Sequence, residues 1–251
     1  MKRVFLLGGH DLEMLTIRDM LLASGECFHD NGLSWNNATL SAYQAEINET
    51  DLFYGIELRE DILPPAHYVR IDHHNDYFGK KSALEQVADL LHVPLNRRQQ
   101  LVVANDSAYI GGMKALGATD EEISSIRQAD RKAQGVTEEE EKIAEEDARQ
   151  AVSKGNLKIV YTSVSRFSPI VDYLYPFRNL LVYNNAELVY YGERQPQLVN
   201  CFQEEVKTGR AFHGGGESGF FGLPRGRFSS DEIKNYVESI SKIINDGIQL
   251  S

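Results

Sequence analysis

The chain has 251 residues, 42% of them hydrophobic and 25% charged, which is the composition of a folded globular protein and excludes disordered, collagenous and coiled-coil classes. Its 26 Lys and Arg against 37 Asp and Glu give a formal charge of -11, which repels a polyanion unless positive charge is locally concentrated, so coating of duplex DNA is excluded. Two cysteines, Cys27 and Cys201, form neither a disulfide framework nor a zinc site by themselves and fit a reducing compartment, so a cytoplasmic location is expected.

Met1-Lys2-Arg3 begins like a signal peptide, but the apolar run covers only Val4 to Leu7, so neither an exported nor a membrane-spanning segment is expected. That run reads as a strand, and the helical spacing of Leu12, Leu15, Ile17 and Leu21 after Asp11 reads as a helix with its N-cap. Strands are expected at Leu52 to Leu58 and Tyr68 to Ile71, and a helix with an apolar stripe at Ser82 to His92. A buried helix follows from Asn96, distorted near Gly111-Gly112 and ended by Gly117, then a helix over Asp120 to Lys132. Thr137 and Glu140 have capping-box spacing and open a helix running to about Lys154, whose acidic residues read as a solvated face.

After Gly155 the texture turns strand-rich, with Leu157 to Val164, Leu180 to Tyr183 and Glu187 to Tyr191, and a turn at Asn184-Asn185. A closing helix begins at Ser229, with Glu232 completing a capping box and Ile233, Tyr236, Val237, Ile240 and Ile244 facing inward. The expected fold is α/β: a parallel-sheet domain over 1–135, a helical connector over 136–155, and a smaller mixed α/β domain over 156–251 that closes over substrate.

Parallel sheets bind ligands beyond the carboxyl ends of their strands. Here the first strand leads into His10, Asp11 and Glu13, the second into Glu57, and the third into Asp72-His73-His74, while Asp106 interrupts an apolar helix. Imidazoles and carboxylates converging on one edge suit two Mn or Mg ions, nitrogen favouring Mn, and such ions activate water and neutralise charge on phosphate. Histidine and aspartate after strands also serve as turn residues and caps. His29, His67 and His92 read as surface or capping residues and Trp35 as packing, while Arg127, Asp130 and Arg131 share a helix face that reaches the cleft or, equally, forms an intrahelical ion pair.

Ile71-Asp72-His73-His74 resembles the signature of the DHH phosphoesterase superfamily, which includes RecJ-type exonucleases, nanoRNase-type enzymes and type II pyrophosphatases. The resemblance extends to Ser82-Ala83-Leu84 opening a helix, to Ala104-Asn105-Asp106-Ser107, and to the late glycine run Gly214-Gly215-Gly216-Glu217. It implies His10, Asp11, Glu13, Glu57, Asp72, His73 and Asp106 as metal ligands, with Glu57 bridging, and Asp72, His73 and His74 as catalytic residues. Glu57 stands where the family carries aspartate, Glu217 where it carries histidine, and Asp11 and Glu13 lie closer to His10 than the family pattern has them.

The stretch Lys207 to Arg227 carries Lys207, Arg210, Arg225 and Arg227 against one acid, Glu217. Arg210, His213, Gly214, Gly215, Gly216, Arg225 and Arg227 are the candidate substrate-binding residues, the glycines as an anion nest and the arginines as phosphate partners. Phe220-Phe221 could stack a base; a glycine-rich hairpin with core phenylalanines is the plainer reading. The expected activity is hydrolysis of a phosphoester or phosphoanhydride of a small nucleotide, cyclic dinucleotide or short single-stranded oligonucleotide by water activated on two ions. The alternatives are a small-phosphate hydrolase, a nucleotide-binding regulatory protein with a degenerate site, and, more distantly, a zinc amidohydrolase. Neither duplex DNA nor a membrane is an expected partner, and a homodimer is compatible with the chain.

Overall fold

The structure is a computed structural model and describes residues 1–34, 37–74, 77, 79–215 and 219–246. It divides into two compact units, Met1–Gly135 and Val136–Ser251.

In the first unit, β1 (Arg3–Leu7), β2 (Cys27–His29), β3 (Leu52–Ile56) and β4 (Tyr68–Ile71) form a parallel sheet in the order β2-β1-β3-β4. The runs Val4 to Leu7 and Phe53 to Ile56 are buried throughout, as expected of parallel strands covered on both faces. Four helices follow the strands: α1 (Leu12–Ala23), α2 (Ala83–Leu91), α3 (Arg97–Ala115) and α4 (Asp120–Ala133). Ser82 with Glu85, Asn96 with Gln99 and Thr119 with Glu122 form reciprocal capping boxes that start α2, α3 and α4.

The distortion of α3 falls at Ala108 and Tyr109, whose backbone leaves the helical region, rather than at Gly111-Gly112. Gly112 nevertheless permits it: a Cβ there would lie 2.5 Å from the Ala104 carbonyl oxygen and 2.8 Å from the Ala108 Cβ, so only glycine lets the bent turn close on itself.

The second unit runs α5 (Glu138–Arg149), β5 (Val152–Lys154), β6 (Leu157–Tyr161), α6 (Ser168–Leu174), β7 (Asn179–Tyr183), β8 (Leu188–Gly192), α7 (Gln195–Cys201), α8 (Gln203–Lys207), β9 (Phe212–Gly214), β10 (Phe220–Leu223) and α9 (Ser230–Asp246). Its six-stranded sheet has the order β5-β6-β7-β8-β10-β9 and is mixed, with β6 and β7 parallel and the other pairs antiparallel. Thr137 and Glu140 cap α5 reciprocally, and Glu232 and Ser229 do the same ahead of α9. Ile233, Val237, Ile240 and Ile244 of α9 enter a core with Leu181, Tyr190 and Phe221.

The two adjacent phenylalanines point oppositely, as strand geometry requires. Phe221 is fully buried and stacks on Phe202 with ring centroids 5.5 Å apart; it is core and cannot stack a base. Phe220 is half-buried on the other face, 6.1 Å from Phe212. Among the described residues no helix is long and apolar enough to cross a membrane.

Candidate metal centre

Three loops leaving the carboxyl ends of β1, β3 and β4 carry the candidate donors. After β1, the Asp11 Oδ1 accepts from the Met14 backbone N–H at 2.9 Å and caps α1, which starts the helix where Glu13 can turn inward. Glu13 is buried, and its Oε1 accepts from the Leu84 N–H at 3.0 Å, satisfying a free amide in the first turn of α2.

After β3, Glu57 adopts φ 52° and donates its N–H to the Ile71 carbonyl at 2.8 Å. A non-glycine residue in the left-handed region is costly and marks a site where geometry is imposed. Gly8 makes room for it: a Cβ there would meet the Ile56 and Glu57 carbonyl oxygens at 2.3 and 2.5 Å. After β4, the Asp72 Oδ1 accepts from the His74 N–H at 2.9 Å and shapes the turn. Gln86 of α2 donates to the Asp72 carbonyl at 3.2 Å.

The loops after β3 and β4, with α1 and α3, deliver five side chains to one place. His73 Nε2 lies 2.9 Å from Asp106 Oδ2, 3.3 Å from Glu57 Oε1 and 3.6 Å from Glu13 Oε2, and His74 Nε2 lies 3.4 Å from Glu57 Oε1. Two groups of three donors result, Glu13 with His73 and Asp106, and Glu57 with His73 and His74, each with its ligand atoms within 4.8 Å of one another. Glu13 Oε2, Glu57 Oε1, His73 Nε2 and Asp106 Oδ2 are buried and make no hydrogen bond, although the three carboxylate oxygens lie close to His73 Nε2. Buried polar atoms are rarely left this way without a ligand.

The electrostatics agree with that arrangement. Burial raises the Glu13 and Asp106 carboxyls, opposed by the facing His73 imidazole. Burial and the nearby Glu57 push Asp11 up to about 8. For His73, burial acts downward, but Asp106, Glu13 and Glu57 outweigh it and hold the imidazolium far above its usual range; His74 is raised against burial by Glu57. Protons occupy this cluster in the absence of a cation.

The donor set fits a hard divalent cation. Two ligands on one ion at about 2.1 Å stand about 3.0 Å apart at a right angle and about 3.4 Å apart at the tetrahedral angle, the range spanned by the three carboxylate contacts of His73 Nε2. Three carboxylates with one imidazole favour Mn or Mg over softer metals.

Of the other expected ligands, His10 is exposed, Asp11 caps α1, and Asp72 shapes the turn beneath His74; none belongs to either group of three among the described residues. The Arg127 and Asp130 pair on α4 is buried instead of lying on an open helix face. Arg127 Nη1 donates to Asp130 Oδ2 at 2.7 Å and to Asn105 Oδ1 at 2.9 Å, and Asp130 Oδ1 accepts from the Leu12 N–H at 3.3 Å. The pair thus ties the residue beside Asp106 to the first turn of α1, and the (i, i+3) spacing was its sole trace in the sequence. His92 closes α2 in the left-handed conformation, as a capping histidine does.

In the second unit, Gly214 ends β9 opposite Phe220, Gly215 has φ 83°, and His213 is exposed opposite Phe221. Gly216 and Glu217, like Trp35, lie outside the described residues. Arg210 sits 4.7 Å over the Phe228 ring, Arg225 is 3.3 Å from Glu187, and Arg227 is exposed. Arg225 also lines a cavity of about 300 Å³ with Thr137, Glu140, Ser163 and Ser165.

The parallel sheet with donors at its carboxyl edge, followed by a mixed α/β unit, defines the class: a two-unit α/β protein with a strand-end cluster of candidate metal donors. No family model and no curated sequence matches the chain. Among solved structures, it is similar to the DHH domain of a member of the s1p family of ribosomal proteins, at 11% identity and TM-score 0.50, over 97% of this chain and 86% of that one. RecJ from Thermus thermophilus in complex with Mn2+ gives 12% identity and TM-score 0.48, and a manganese-bound exonuclease RecJ gives 12% and 0.47. Each covers 96% of this chain; the chain spans 52% of the length of the Thermus RecJ structure and 90% of the other. The chain shares its fold with that DHH domain.

Proposed function

We propose that the protein is a metal-dependent phosphoesterase acting on a small nucleotide, cyclic dinucleotide or short single-stranded oligonucleotide. The observation that carries this reading is the convergence of Glu13 Oε2, Glu57 Oε1, His73 Nε2 and Asp106 Oδ2, all buried and none hydrogen-bonded, on a DHH fold. Glu13, His73 and Asp106 on one side and Glu57, His73 and His74 on the other would hold a divalent ion. When bound, it supplies Lewis acidity toward a phosphoryl oxygen and makes water acidic enough to act as nucleophile near neutral pH.

The chain's own side chains do the rest. His74, half-buried with Nε2 3.4 Å from Glu57 Oε1, is positioned to hold a proton near the charge that develops on phosphate. Asp72 fixes its backbone. The few arginines Arg210, Arg225 and Arg227 of the second unit suit a short anionic substrate over a long duplex.

The test is hydrolysis of a panel of cyclic dinucleotides, dinucleotides, short oligonucleotides and pyrophosphate by metal-stripped protein given Mn or Mg. Turnover of a nucleotide substrate that disappears on chelation, and falls at least ~100-fold in Glu57→Gln, is the expected result. Nucleotide binding without turnover at saturating Mn would replace the enzyme by a regulatory binding protein.

A further inference from the structure

We propose that Arg127 is a positioning residue of the centre, holding Asp106 and Glu13 toward His73 from behind. The inference rests on the reading of Glu13, His73 and Asp106 as ligands of a divalent ion and goes beyond it, to side chains that touch no ion.

Each of the two carboxylates has a chain neighbour that the α4 pair grips. Asn105, beside Asp106, is buried and accepts from Arg127 Nη1 through Oδ1 at 2.9 Å; Leu12, beside Glu13, donates its N–H to Asp130 Oδ1 at 3.3 Å. Arg127 Nη1 and Asp130 Oδ2 close the span at 2.7 Å. Successive helical residues stand about 100° apart around the axis, so a bond that fixes Asn105 toward α4 also fixes the direction in which Asp106 leaves α3. The Asp106 Oδ2 so delivered makes the shortest of the three carboxylate contacts of His73 Nε2, at 2.9 Å.

The same guanidinium holds the bend that follows Asp106. Tyr109 has φ 55° and ψ −148°, a conformation unfavourable for any residue that carries a Cβ, so surrounding contacts must hold it. Its ring lies under Arg127, whose Cζ is 4.6 Å from the ring centroid, and the burial of Arg127 strengthens this cation–π contact. Arg127 thus grips α3 on both sides of Asp106, at Asn105 and at Tyr109. A planar guanidinium donates through its edge and stacks through its face, which the point charge of a lysine does not reproduce.

The experiment uses the full chain, stripped of metal, titrated with Mn and followed by electron paramagnetic resonance, with folding checked by circular dichroism. Asn105→Leu and Asn105→Asp have side chains of similar size and differ in the acceptor they offer Arg127; both leave the Arg127 and Asp130 pair in place. Asn105→Leu should weaken Mn binding at least ~10-fold and change the spectrum of the Mn-saturated protein, which reports ligand geometry and not stability. Asn105→Asp should stay within ~3-fold of the unaltered protein. Arg127→Lys, which keeps the charge facing Asp130, should weaken Mn binding as Asn105→Leu does. Folded Asn105→Leu and Arg127→Lys with unaltered Mn affinity and spectrum would overturn the role given to Arg127 and leave the metal-dependent reading standing. Equal losses in Asn105→Leu and Asn105→Asp would do the same. An unaltered protein that binds neither Mn nor Mg would overturn both.

Discussion

Two buried clusters of charge sit in the first unit, and they are built to opposite rules. Around Arg127 and Asp130, both carboxylate oxygens are matched: Oδ2 accepts from Arg127 Nη1 and Gln134 Nε2, and Oδ1 from the Leu12 amide. Around His73, three carboxylates crowd one imidazole, and one oxygen of each is left without a hydrogen bond. The first is a finished structural joint. The second has the make-up of a candidate cation site, with buried oxygens that no protein donor satisfies.

The widest separation between them should appear on removing a member of the finished joint. Arg127→Met leaves Asp130 buried without its counter-charge and is expected to cost ~3 to 5 kcal/mol in urea denaturation, with Arg127→Met/Asp130→Leu recovering most of it. A double variant as unstable as the single one would show that the network, and not the uncompensated charge, carries the stability.

pH should divide the clusters next. Asp11, Glu13, Asp106, His73 and His74 all have folded pKa values above their ordinary ones, so between pH 5 and 8 the folded chain keeps protons that the unfolded chain gives up. Stability falls with rising pH in that window. A fall in Tm of roughly 5 °C from pH 5 to 8 is expected for the metal-free protein, and saturating Mn, which displaces those protons, should remove it. A flat metal-free profile would mean that the carboxylates are not held protonated.

The smallest effect is the sharpest in sign. Glu13→Gln keeps an acceptor for the Leu84 amide while abolishing a buried group whose ionisation burial disfavours, and should stabilise the metal-free chain by ~1 kcal/mol at the alkaline end of that window while weakening Mn binding. Loss of stability in calorimetry would place Glu13 with the finished joint.

Much of the site could be read in the residues because parallel strands end in loops, and Glu57 and Asp72-His73-His74 each follow an apolar run directly. The capping boxes at Thr137 and Ser229 were legible because their partners are three residues away. What escaped depends on distant partners. The intrahelical pair of Arg127 and Asp130 was legible from its spacing, but its burial and its ties to Asn105 and the Leu12 amide were not, since those partners lie 22 and 118 residues off. The bend of α3 at Ala108 and Tyr109 lies in residues with no breaking tendency of their own, displaced from the glycine that permits it. His10 adjoined the right strand, yet one residue of loop turns it to solvent while Glu13, on the next helix, turns in.

Positions 8 and 57 are heritable only as a pair. The left-handed backbone of Glu57 brings its carbonyl to where a Gly8 side chain would begin, so a methyl group at residue 8 forces the end of β3, and with it the Glu57 carboxylate, to be rebuilt. The silent glycine, with no atom to offer the ion, is the stricter of the two inheritances.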